Sequence, residues 1–119
     1  MALVFKIVPA ALWQEAERAG IFTGAPVDER DGYIHLSTAA QLRETAARHF
    51  VGQPDLLLVA FDDTGLGPAL RWEKSRGGAL FPHLYGAVAP HTARWVQPRE
   101  PPAEQAAGPT PPRGARPSS

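Results

Sequence analysis

Cysteine is absent from the 119-residue chain, which removes disulfides, thiolate catalysis and thiolate metal sites together. Net charge is absent as well. Twelve Lys and Arg against twelve Asp and Glu sum to +0, so there is no broad basic footprint for duplex nucleic acid. No apolar run approaches the roughly 20 residues that span a bilayer. The opening MALVFKIVPA lacks the basic head, apolar core and small-residue cleavage site of a secretion signal. A Walker loop, GxGxxG, GxSxG and HExxH are all missing, which leaves those chemistries without a signature. The expectation is a cytoplasmic, monomeric protein of one small domain, with neither membrane nor duplex nucleic acid as partner.

What is present concentrates in Asp31 to Phe50, DGYIHLSTAAQLRETAARHF. Asp31-Gly32 reads as a turn pair, because glycine accepts the angles of a tight reversal. Tyr33 to Leu36, aromatic and β-branched, reads as a short strand. Thr38 followed by Gln41 fits a capping box, and Leu42, Thr45, Ala46, His49 and Phe50 share one face of the helix it opens. His35 then stands at a strand's end, facing a helix N-terminus where backbone amides are free to meet a polar or anionic ligand.

Around this segment, Leu3 to Val8 reads as an opening strand interior to a sheet. Pro9 suits the first turn of a helix with Leu12, Trp13, Ala16 and Ala19 on its face and Gly20 at its end. Ile21 to Val27 reads as a loop docked on the body. Leu56 to Phe61 is a central strand apolar on both faces, and Asp62 to Gly65 is a turn. Leu70 to Glu73 alternates as a strand, with Arg71 and Glu73 on one side. Leu80 to Tyr85 is a further strand or an ordered loop, with Pro82 arguing against a central position. Ala93 to Gln97 closes the fold. Residues 98–119, rich in Pro, Gly, Ala and Ser, read as a disordered tail outside a 1–97 domain. Six strands and two main helices give an α+β class with a small mixed, mostly antiparallel sheet.

Several side chains carry chemistry by type. His35 suits contact with a ligand hydroxyl, against the plainer alternative of a strand histidine that simply alternates in and out. Ser37 and Thr38 are helix caps that can also meet a ligand. His49, on the apolar helix face, reads as a core histidine bonded to a carbonyl. Arg71, Glu73 and Arg76 form either a surface ion pair or a carboxylate kept ionised by guanidinium neighbours. His83 and Tyr85, two apart on an extended segment, share a side and suit acid–base or hydroxyl-orienting work. His35, His49, His83, His91, Asp62, Asp63 and Glu73 show no tight ligand spacing, so no metal ligand is assigned.

The segments GAPVDERDGYIHLSTAAQLRETAARHF, LLLVAF and LRWEKSRGGALFPHLYG together resemble the group known as domain of unknown function 952. The likeness runs from the opening strand to Trp95. It implies a minimal ADP-ribosyltransferase-like fold, in which a split sheet clasps NAD between two small sheets, and NAD is the one cofactor it suggests. By that likeness His35, Glu73, His83 and Tyr85 are the catalytic candidates. Ser37, Thr38, Arg71 and Arg76 are the cofactor-binding ones. The function expected is a cleft for a nucleotide or ADP-ribose-type small molecule, with ADP-ribosyl transfer or glycohydrolysis as its chemistry. The alternative is a non-catalytic ligand-binding or scaffold module on the same fold.

Overall fold

The computed structural model describes residues 2–99. In chain order it contains strand β1 (Leu3–Pro9), helices α1 (Ala10–Ala19) and α2 (Pro26–Asp31), strand β2 (Ile34–His35) and helix α3 (Leu42–His49). Strand β3 (Leu56–Asp62), the one-turn helix α4 (Asp63–Leu66), and strands β4 (Leu70–Lys74), β5 (Leu80–Leu84) and β6 (Trp95–Arg99) follow. The strands form two three-stranded sheets, ordered β1-β3-β6 and β2-β5-β4. The class is α+β as expected, but every named strand pair is antiparallel rather than mixed. Asp55 accepts from the Ala10 N–H at the end of β1, so β3 enters there and runs back along it. No helix among the described residues is long and apolar enough to cross a membrane.

The unbroken run of β3 is explained by its central place. Val59 and Phe61 face Trp13 and Ala16 of α1 and Ile34 and Leu84 of the second sheet. Leu56, Leu58 and Ala60 face the other way, toward Ala46 and Leu42 of α3 and Phe50 at its end. Trp13 sits edge-on to Phe22 and Phe61 and is fully buried, so truncating it to alanine is worth about 3–5 kcal/mol. Strand β1, expected inside a sheet, lies at an edge: β3 pairs one side, and the other side makes a single bridge from Phe5 to Ser37. Pro9 ends that strand and caps α1 instead of opening its first turn.

Four local readings change. Residues 26–31 are helical, because Pro26 fits a first turn and Asp28 reaches back to accept from the Ala25 N–H at 2.7 Å. Gly32, at φ 90°, reverses the chain as the left-handed cap of that helix, while Asp31, its expected turn partner, is the last helical residue. Asp62 caps α4 where a plain turn was expected, accepting from the Thr64 N–H and hydroxyl. Strand β5, despite Pro82, is the centre of its sheet. The Leu36 N–H donates to the Pro82 carbonyl at 3.0 Å, and proline has no N–H to return. The ladder with β2 therefore stops where the proline begins. Strand β6 includes Pro98 and Arg99, two residues assigned to the tail, and the rest of that tail lies outside the described residues.

Candidate functional site

The site is built on a buried ion pair. Lys6 is the single charged residue of an apolar strand, and Asp28 lies on α2 with 1% of its surface exposed. The Lys6 Nζ stands 2.9 Å from Asp28 Oδ2 and 3.1 Å from both Asp28 Oδ1 and the His35 carbonyl. Three oxygens around one nitrogen match the three N–H donors of an ammonium. Burial lowers the Lys6 ammonium below its usual value, against the pull of Asp28. Burial also pushes the Asp28 carboxyl up, but the His35 hydrogen bond, the Lys6 charge and hydrogen bond, and the Ala25 amide outweigh it and hold Asp28 at about 2. Gly24 makes room for this carboxylate: its φ is 106°, and a Cβ there would lie 2.7 Å from that of Asp28.

The pair does more than satisfy itself. Asp28 Oδ1 accepts from the His35 main-chain N–H at 3.1 Å and faces His35 Nδ1 at 2.7 Å. An ionised carboxylate only accepts, so Nδ1 carries a proton and Nε2 points outward, 3.0 Å from Asp31 Oδ2. With Lys6 on its carbonyl, both main-chain groups of His35 are held by side chains, and the ring is aimed with about a third of its side chain exposed.

A second histidine–carboxylate pair stands on the neighbouring strands. His83 is opposite His35 in the β2–β5 register and opposite Arg71 in the β4–β5 register. Its Nδ1 lies 2.7 Å from Glu73 Oε1, which also accepts from the Tyr85 hydroxyl at 2.8 Å. The His83 and Tyr85 hydrogen bonds, with the Arg71 charge nearby, lower the Glu73 carboxyl; donating to Glu73 raises the Tyr85 phenol. Tyr33 lies between the two pairs, stacked on His83 at 4.1 Å and tilted toward His35 at 4.6 Å and Tyr85 at 5.2 Å. Burial and the charges of Asp31, Glu73 and Asp28 push the Tyr33 phenol up. The Arg71 guanidinium stands 5.2 Å from the centre of the Tyr85 ring.

Tyr33, Asp31, His35 and His83 supply part of the polar lining of a cavity of about 600 Å³, with Lys6, Ser37, Thr45, His49 and Ser75. Phe5, Ile7, Leu12, Val27, Phe50 and Phe81 supply apolar wall. The volume is that of a small-molecule pocket. Among the described residues, no three His, Asp or Glu side chains converge to hold a metal ion.

A family model described as "Protein of unknown function (DUF952)" matches residues 7–96. The chain belongs to the DUF952 family. The crystal structure of protein CC0527 from Caulobacter crescentus is 44% identical, with a TM-score of 0.80 over 82% of this chain and 85% of that one. The solution NMR structure of CC0527 is 45% identical, with a TM-score of 0.73 over 82% and 84%. No curated protein matches the chain.

Within this DUF952 domain, His35 and His83 of the eight expected site residues line the cavity, and Glu73 and Tyr85, outside its lining, are joined to it through the Glu73 hydrogen bonds to His83 and Tyr85. Ser37 also lines the cavity, with its hydroxyl 2.9 Å from that of Thr45. Arg71 stays at the surface over Tyr85. Thr38 is not part of the wall: its hydroxyl accepts from the Gln41 N–H and its own N–H donates to the Gln41 side-chain Oε1, the expected capping box. The Arg76 side chain lies outside what is described. His49, read as a core residue, is exposed and lines the cavity, while Ala46 is the residue that α3 buries.

Sequence reasoning passed over Lys6, Asp28, Asp31 and Tyr33. The one available signal was a lysine inside an otherwise apolar strand, which demands a buried partner. Nothing local names that partner 22 residues away.

Proposed function

We propose that the cleft takes a nucleotide or ADP-ribose-type ligand, on an ADP-ribosyltransferase-like plan, with ADP-ribosyl transfer or glycohydrolysis as its chemistry. The observation that supports this most is the pairing of two histidine–carboxylate units, on adjacent strands, across the Tyr33 ring at the mouth of one cavity. His35 Nε2 and Asp31 are placed to share a ribose hydroxyl. Glu73, kept ionised by His83 and Tyr85, offers negative charge to a cationic centre growing at an anomeric carbon.

NAD fits this donor set in part. Apolar walls and the Tyr33 face suit a planar ring, and the carboxylates suit ribose hydroxyls. The diphosphate finds less: Lys6, the described lysine on the wall, already has its three N–H groups on Asp28 and His35, which leaves Arg30, 3.2 Å from Asp31 of the cavity lining, and Arg71, over the Tyr85 ring, as described cations on this side. When bound, NAD would supply the ribosyl group; the chain supplies orientation and charge.

A binding role without catalysis is favoured by one detail. Glu73 Oε1 accepts from both His83 and Tyr85, an arrangement that holds the carboxylate still. Thermal unfolding of the full chain with millimolar NAD, ADP-ribose, ATP and nicotinamide tests the proposal. ADP-ribose and NAD are expected to raise the midpoint by several degrees, since ligand at about 100 times its Kd adds about 2.7 kcal/mol. No shift with either would overturn the proposal. Binding of NAD without release of nicotinamide selects the non-catalytic reading.

A further inference from the structure

The cavity opens where two strands part. Phe5 exchanges both of its main-chain bonds with Ser37, at 2.8 and 2.9 Å. The next exchange of an antiparallel ladder, two residues along each strand, would join Ile7 to His35. That exchange is not made, because the His35 N–H goes to Asp28 and its carbonyl to Lys6. The Lys6–Asp28 pair is thus a wedge that holds the strands apart. Alternation along β1 turns the Ile7 N–H and carbonyl to the same side as those of Phe5, away from β3. Ile7 lines the cavity and is 3% exposed, and among the described residues its N–H and carbonyl have no main-chain partner across the gap. A buried donor and acceptor side by side are costly unless one group takes both.

We infer that the Ile7 main chain is a two-point anchor for a small ligand with a cis amide edge, such as a primary carboxamide, a lactam or the N–H/C=O edge of a pyrimidine. The length of the open edge decides against an added peptide strand. The Ser37 bridge closes it on one side, and on the other Pro9, the next residue of that register, has no N–H to offer. One residue's donor and acceptor remain. Leu12, Val27 and Phe50 on the same cavity wall are suited to the faces of a planar ring. The inference rests on the cleft being a ligand site, as proposed above, and adds the chemical group it grips.

The test is a titration of the ¹⁵N-labelled full chain, followed at the Ile7 amide, with uracil and benzamide. Their controls, 1,3-dimethyluracil and N,N-dimethylbenzamide, keep ring and carbonyl but have no amide N–H. At least one unblocked probe is expected to move the Ile7 amide proton downfield and slow its solvent exchange. Its methylated partner is expected to bind about tenfold more weakly, as loss of a hydrogen-bond contact dictates. Equal affinity for blocked and unblocked forms, or an unmoved Ile7 amide at millimolar probe, overturns the inference. ADP-ribose in parallel separates the two readings. Shifts at His35 and Tyr85 with ADP-ribose, beside an Ile7 amide that ignores the amide probes, overturn the anchor and leave the ribosyl reading standing. An Ile7 amide that responds to the probes while ADP-ribose leaves the spectrum unchanged supports the anchor and removes the ribosyl reading.

Discussion

Gly24 and Asp28 are shaped to one another. Gly24→Ala combines a backbone angle that L-residues avoid with a contact of 2.7 Å against the Asp28 Cβ, so a loss of about 1–3 kcal/mol is expected in urea unfolding. Lys6→Met leaves the Asp28 carboxylate buried without its cation and is expected to cost about 3–5 kcal/mol. The acid limb of stability follows from the same group. Asp28 titrates at about 2 when folded against 3.8 ordinarily, so the folded chain binds fewer protons there between those values. Its contribution, roughly 2 kcal/mol, is complete above about pH 4 and is lost as pH falls through 2. Urea midpoints from pH 6 down to 2 are expected to fall less steeply in Asp28→Asn than in the parent chain. At this scale the sequence disclosed what is local. The Thr38–Gln41 capping box spans four residues and was readable; the Lys6–Asp28–His35 contacts join three distant segments and were not.

Elements were legible where pattern and position agree. The apolar run of β3 comes from the burial of both its faces; β4 also forms where its alternation puts it, although Trp72 on its apolar side is exposed. Helix α2 was hidden because Val27 and the polar PVDERD run carry no apolar stripe; its stability comes from Asp28 bonding outward to β1 and β2. Pro82 misled in a different way. The rule against proline in a central strand assumes partners on both sides along its whole length, whereas β2 gives out at the proline. Thr38→Ala is expected to cost about 1 kcal/mol by uncapping the turn that leads into α3. Ligand affinity is expected to stay within twofold, as checked by titration beside the unfolding curve, because Thr38 does not line the cavity.

At the scale of the whole molecule, one strand edge left unzipped separates two small antiparallel sheets and creates the cavity between them. The six strands and their class could be read from the sequence, and the family resemblance implied a split sheet, but what causes the split could not be read. The split depends on Lys6 and Asp28 competing successfully for the main chain of His35, a contest between side chain and backbone that no periodicity records. The same contest aims the His35 ring at the mouth, opposite His83. Isothermal titration of ADP-ribose into the full chain and into His35→Asn tests this most directly. Asparagine retains a donor for Asp28 and lacks Nε2, so the fold is kept while the cleft-facing nitrogen is removed. Saturable binding is expected in the parent chain, weakened about tenfold or more in the variant at an unchanged melting temperature. An absence of heat with the parent chain, or equal affinity in the two, would contradict it.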